Sequence, residues 1–87
     1  MGWIKGHLLW VRSGRESSGI IIVLRRELGT AVRRNRLKRR LRSVCREVGP
    51  FQGSLIILPQ LSAVEIPFRT LREELQQLVS RLEESCS

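Results

Sequence analysis

The chain has 87 residues, 41% of them hydrophobic, which is enough for one small core and too little for a multidomain enzyme or a large enclosed pocket. Sixteen Lys and Arg against eight acids leave a net charge of +8, and every acid is Glu. A domain this basic needs a polyanion or a negatively charged surface, or else bears strong self-repulsion.

His7 to Arg12 reads as a short strand. Ser13 to Gly19 (SGRESSG) is turn chemistry. Ile20 to Leu24 is an unbroken run of aliphatic, mostly β-branched residues, which predicts a strand buried on both faces, and the first two strands are expected to form a hairpin. Thr30 to Val48 reads as a helix: Leu37, Leu41, Val44 and Val48 fall on one narrow stripe, Thr30 is the expected N-cap, and Gly49-Pro50 is the stop. Cys45 lies on that stripe as a small buried hydrophobe, whereas Cys86 reads as frayed and without a role. Gly53 to Leu58 reads as a third short buried strand, ended by Pro59. Pro67 to about Glu84 reads as a second helix, with Phe68, Leu71, Leu75, Leu78, Val79 and Leu82 on its apolar face. The order ββαβα predicts one α+β domain over residues 1–87, a two-layer sandwich with both helices on a small mixed sheet. A helix joining two strands of one sheet would by the general rule cross over right-handed.

The charge is concentrated. Residues 1–64 carry a net +10 and residues 65–87 a net −2, and the window Arg33 to Arg46 holds eight cations and no acid. On a helical wheel Asn35, Arg39, Arg42 and Arg46 lie opposite the apolar stripe, with Arg36 and Lys38 flanking. Arg33, Arg34 and Arg40 sit nearer the apolar edge, where they are expected to line a groove between helix and sheet. Like charges at this spacing repel, and the first turn has no acid to meet the macrodipole. Phosphates relieve both costs, and Arg suits them through its planar fork. A nucleic acid is therefore favoured over a merely solvated face. A membrane surface is a weaker reading, because the stripe belongs to the core and offers no Trp or Phe for insertion.

The stretch Gly29 to Arg42 reads GTAVRRNRLKRRLR. It closely resembles the signature of the bacterial ribonuclease P protein subunit, G-x-A-V-x-R-N-R-x-K-R-x-x-R. Gly29, Ala31, Val32, Arg34, Asn35, Arg36, Lys38, Arg39 and Arg42 all match it. His7 to Arg12 also resembles the family's F-x-L-Y-V strand, Gly53 to Leu58 its G-Y-D-I-V-V-I strand, and Phe68 to Leu82 its closing helix. The resemblance implies a ribosomal protein S5 domain 2-like fold with a left-handed crossover, against the general rule. It also implies a ribonucleoprotein that matures the 5′ end of precursor tRNA, with Mg²⁺-dependent hydrolysis in the RNA subunit and no cofactor on the protein. The implied partners are ribonuclease P RNA, bound through the Arg-Asn-Arg helix, and precursor tRNA, whose 5′ leader lies in a cleft between helix and sheet.

The chain departs from the family pattern in places. The family's first helix and first strand are expected to be missing, which would leave an open sheet edge and favour a homodimer. Trp10 stands where the family often has Tyr, and is the candidate for stacking on a leader base or for a plain sheet-face aromatic. His7, at a position often Phe, reads as a strand residue without a chemical role. The family's Ser-Lys-Lys before the glycine becomes Arg25, Arg26 and Glu27, so Arg25 and Arg26 are expected to extend the RNA surface. The Arg that often follows the last strand is replaced by Leu58, Pro59 and Gln60.

Catalysis by the chain itself is not expected. A metal-dependent nuclease needs clustered carboxylates, and with no Asp such a cluster is hard to build. Glu73-Glu74 and Glu83-Glu84 read as solvated helix faces. His7 is the single histidine, and neither a convincing nucleophile–histidine pair nor a Gly-rich phosphate loop is present. The competing readings are a general RNA or DNA binder, such as a shortened paralogue that no longer supports cleavage, and a protein whose basic helix docks on an acidic protein surface. With no secretory signal and no apolar run near the ~20 residues of a membrane span, the expected address is the cytoplasm.

Overall fold

The computed structural model describes residues 2–16, 19–49, 51 and 53–86. Four strands form one mixed sheet: β1 (Ile4–Lys5), β2 (Leu9–Ser13), β3 (Gly19–Ile22) and β4 (Ser54–Pro59), in spatial order β1-β2-β4-β3. β1 pairs antiparallel with β2, β2 antiparallel with β4, and β3 parallel with β4. Helix α1 (Ala31–Val48) connects β3 to β4, and α2 (Phe68–Cys86) follows β4. Single 3₁₀ turns stand at Arg26–Leu28 and Leu61–Ala63. The α+β class and the mixed sheet are as expected, but the element order is βββαβα.

Three expectations about the sheet are corrected. β2 and β3 do not form a hairpin, because β4 lies between them and pairs with both. β3 is consequently an edge strand and is not buried on both faces: Ile20 and Ile21 are 38% and 47% exposed. The strand expected to be missing is present as β1, two residues long, and it pairs with β2 at Trp10 and Val11. The sheet therefore ends in two edge strands, the two-residue β1 on one side and the four-residue β3 on the other. His7 belongs to the turn between β1 and β2 and to neither strand.

The helices follow their sequence patterns closely. Thr30 caps α1, its Oγ1 accepting from the Arg33 N–H at 3.3 Å. Gly29 before it has φ +120°, a conformation that strains any side-chain-bearing residue. It turns the chain from the 3₁₀ segment into the cap, which explains the glycine of the motif. At the other end the Gly49 N–H donates to the Cys45 carbonyl at 2.8 Å. Pro50, the rest of the expected stop, lies outside the described residues, as does the Cys86 side chain. Leu37, Leu41, Val44 and Cys45 of α1 meet Leu71, Leu75, Leu78 and Val79 of α2 in one core, over Leu9, Val11, Leu55 and Ile57 of the sheet. Val48, Phe68 and Leu82 are half-buried at its border. Burying each Leu or Ile fully contributes about 1.5–3 kcal/mol, so this stripe fixes which way α1 faces. Its cations must then point outward or along the flanks.

Candidate nucleic-acid interface

α1 presents eight cations and one acid, Glu47. Asn35, Arg36, Arg39, Arg42 and Arg46 are exposed, whereas Arg34 and Lys38 are half-buried on one flank of the apolar stripe. Among the described residues none of the eight cations forms a salt bridge. The ion pair seen lies outside the helix, between Arg25 and Glu27 at 3.2 Å. The Nε of Arg34 is shielded from solvent and has no acceptor. A desolvated Nε–H without an acceptor favours an anion or other acceptor brought by a partner.

The second flank turns away from the sheet, which corrects part of the sequence reading. Arg33 and Arg40, with exposed Arg36, border a hollow between α1 and the connection Val64–Glu65. Arg40 also holds the structure together, since its Nη1 donates to the Ile66 carbonyl at 3.0 Å and ties this connection to α1. Arg25 is likewise engaged, with Nη2 donating to Gln60 Oε1 at 3.3 Å beside its pair with Glu27. Arg26 is exposed in the turn that precedes α1.

Sheet alternation builds a second surface. Leu9, Val11, Leu55 and Ile57 face the helices, so Trp10, Arg12, Ile56 and Leu58 occupy the opposite face, all half-buried. Register brings Lys5 opposite Trp10, and the Lys5 ammonium lies 4.8 Å from that ring's centroid. The Arg12 guanidinium lies 5.2 Å from the centroid of Trp3. Two aromatic rings, each with a cation, therefore share this face with an apolar strip. Sequence reasoning found Trp10 but missed Trp3, Lys5 and Arg12. Arg12 stands two residues from Trp10 in the expected strand, so alternation could have placed it on the same face, whereas the two-residue β1 is too short to show periodicity and left Lys5 and Trp3 unmarked.

The hairpin that carries both rings is held from α2. The Glu74 carboxylate accepts from three successive backbone N–H groups: His7 at 3.2 Å, Leu8 at 2.6 Å and Leu9 at 2.7 Å. Ser62 Oγ donates to the His7 carbonyl at 2.7 Å. Gly6 permits the close approach, since a Cβ there would meet the Leu9 carbonyl oxygen at 2.9 Å and the Glu74 carboxyl at 3.1 Å. Glu74 is thus no part of a solvated face, contrary to its sequence reading.

Among the described residues no three His, Cys, Asp or Glu side chains stand together as metal ligands, and no helix is long and apolar enough to cross a membrane. Burial pushes the Cys45 thiol up to about 11, so it stays neutral and inert near pH 7. The arrangement sets a cationic helix face beside a sheet face that carries two half-buried aromatic rings.

Comparison with known proteins points the same way. The family model for ribonuclease P matches residues 5–83. The ribonuclease P protein components of Thermotoga sp. strain RQ2 and Thermotoga maritima are each 34% identical over 83 residues, covering 87% of this chain and 71% of theirs. The solved ribonuclease P protein from Thermotoga maritima superposes with a TM-score of 0.76 at 29% identity, covering 92% of this chain and 82% of that one. A Staphylococcus aureus ribonuclease P protein, a mutant with defective mRNA degradation activity, gives 0.76 at 15% identity over 94% of this chain and 75% of its own, a likeness of fold.

Proposed function

The chain belongs to the ribonuclease P protein family, as the protein component of a tRNA-processing ribonucleoprotein whose partner is ribonuclease P RNA; from that premise we propose that it acts in the cytoplasm, docking α1 on this RNA and offering its open sheet face to the 5′ leader of precursor tRNA. The observation that carries the docking is the set of eight α1 cations, none of which has a salt-bridge partner among the described residues. Arg34, Asn35, Arg36, Lys38, Arg39, Arg42 and Arg46 form the contact surface, with Arg33 and Arg40 on its second flank and Arg25 and Arg26 beside its start. Arg residues contact phosphates, and Asn35 hydrogen-bonds to the RNA. The Mg²⁺-dependent hydrolysis belongs to the RNA subunit, and this chain contributes binding and placement.

The leader reading rests on the sheet face. A single strand needs aromatic platforms and a cationic track, and base–aromatic stacking contributes about 1–3 kcal/mol per base. Trp10 and Trp3, with Lys5 and Arg12 over their rings, supply both. A precursor with its 5′ leader will quench the tryptophan fluorescence of the reconstituted holoenzyme more than mature tRNA does, and Trp10→Leu will remove most of that difference. Equal quenching by precursor and mature tRNA would count against leader binding here.

Reconstitution tests the whole. A bacterial ribonuclease P RNA is given precursor tRNA at low Mg²⁺, with and without the protein. Rescue of correct 5′ cleavage is expected. Tight binding without rescue would leave docking and remove leader placement, while equal affinity for unrelated structured RNA would favour a general RNA binder. A homodimer, where it forms, uses the β3 edge, the longer of the two, because the other edge strand, β1, offers only two residues for pairing. Sedimentation equilibrium showing only monomer across concentrations would remove it.

A further inference from the structure

We propose that the groove between the C-terminal half of α1 and β3 receives one unstacked nucleobase of the partner RNA. The proposal rests on the RNA-binding reading and deepens it by naming a site for a base beside the phosphate surface. The groove has a volume of about 450 Å³ and is lined by Ile20, Arg42, Cys45, Arg46, Gly49 and Phe51. That falls in the range of small-ligand pockets, about 300–1,000 Å³, and leaves room for a base and part of its ribose.

The lining divides by chemistry. Ile20, Cys45 and Phe51 make an apolar floor. Cys45 is buried and its thiol is neutral, so the wall it forms repels no anion. Gly49 packs beside the ring: a Cβ there would touch Phe51 at an ordinary 3.5 Å, while its tight contact would be with the Cys45 carbonyl oxygen at 2.9 Å. Arg42 and Arg46 stand one helical turn apart at the rim, both exposed, and no described carboxylate pairs with either. They belong to the same cationic face that meets the RNA, so the groove is continuous with that surface.

An aromatic floor under two unpaired guanidinium groups matches a splayed-out nucleotide, with its base against Phe51 and its flanking phosphates on the arginines. An apolar peptide would leave both arginines without a counter-charge. The groove presents few hydrogen-bonding groups to a base edge, so it accepts any base.

Phe51→Leu keeps an apolar side chain and removes the stacking ring, and Phe51→Trp restores one. Binding of each variant and the parent chain to a bacterial ribonuclease P RNA is measured across a salt series, with thermal melts to confirm folding. Phe51→Leu is expected to weaken binding about tenfold at every salt concentration, with the slope of log affinity against log salt unchanged, because no phosphate contact is lost. Phe51→Trp is expected to bind like the parent. Unchanged affinity in a folded Phe51→Leu variant overturns the site, as does an effect confined to self-association or to the salt slope. Absence of selective binding by the parent chain overturns the RNA reading itself, and is seen before any variant is compared.

Discussion

Replacing Arg36 and Arg39 together by alanine will weaken binding to ribonuclease P RNA on the order of 20-fold at about 0.15 M salt and will flatten the salt slope by about 1.4 to 1.8. The size follows from counter-ion release, where each phosphate neutralised contributes about 0.7 to 0.9 to the slope and its share of affinity is counted from about 1 M salt. These two residues isolate the term. Both are exposed, neither makes an ion pair, and the cap of α1 is made by Thr30. Removing them also relieves like-charge repulsion along the helix, by a few tenths of a kcal/mol per pair, so the fold should hold or gain slightly. Arg40 is the instructive contrast. Its bond to the Ile66 carbonyl means that Arg40→Ala mixes a lost cation with a loosened connection between β4 and α2. Filter binding at four or more salt concentrations distinguishes the cases. An unchanged slope in the double variant would show that the acid-free face points away from the RNA.

That face was legible in the sequence because helical periodicity is local. Leu37, Leu41 and Val44 mark the buried side within a few turns, and the cations follow by exclusion. The glycine and threonine before α1 were equally local signals. What the sequence did not show depends on distant pairing. Ile20 to Leu24 looks like a central strand by composition, yet it lies at the edge because β4, more than thirty residues later, enters between β2 and β3. Its inward Ile22 and Leu24 pack on the core while Ile21 and Val23 remain exposed, so an aliphatic run there serves both a buried and an open face. β1 escaped notice because two residues carry no pattern. Trp3 became a candidate only when its ring was seen beside Arg12, a strand away. Glu74 was misread for a related reason. Its partners are main-chain groups more than sixty residues earlier, and backbone donors leave no mark in a side-chain pattern.

Glu74→Ala will destabilise the fold by about 2–4 kcal/mol, because a carboxylate that accepts hydrogen bonds contributes about 1.5–3 kcal/mol and its removal leaves three N–H groups without their acceptor. Two of those groups, on Leu8 and Leu9, are partly buried, so water replaces the carboxylate incompletely. At about 4–8 °C per kcal/mol for a domain of this size, the melting temperature should fall by roughly 8–32 °C. Glu74→Gln keeps one oxygen acceptor but brings an NH₂ toward donors, so it should recover less than half of the loss. The functional consequence is selective, which makes the variant informative. α1 is capped and packed independently of the β1–β2 turn, whereas Trp3, Lys5 and Trp10 all lie on the hairpin that Glu74 holds. Below its lowered melting temperature, Glu74→Ala should therefore bind ribonuclease P RNA with a normal salt slope and lose the fluorescence difference between precursor and mature tRNA. Parallel loss of both would mean that the two surfaces form one cooperative unit. Retention of the leader signal would show that β1 and β2 hold their rings without the clamp, and that Glu74 serves stability alone.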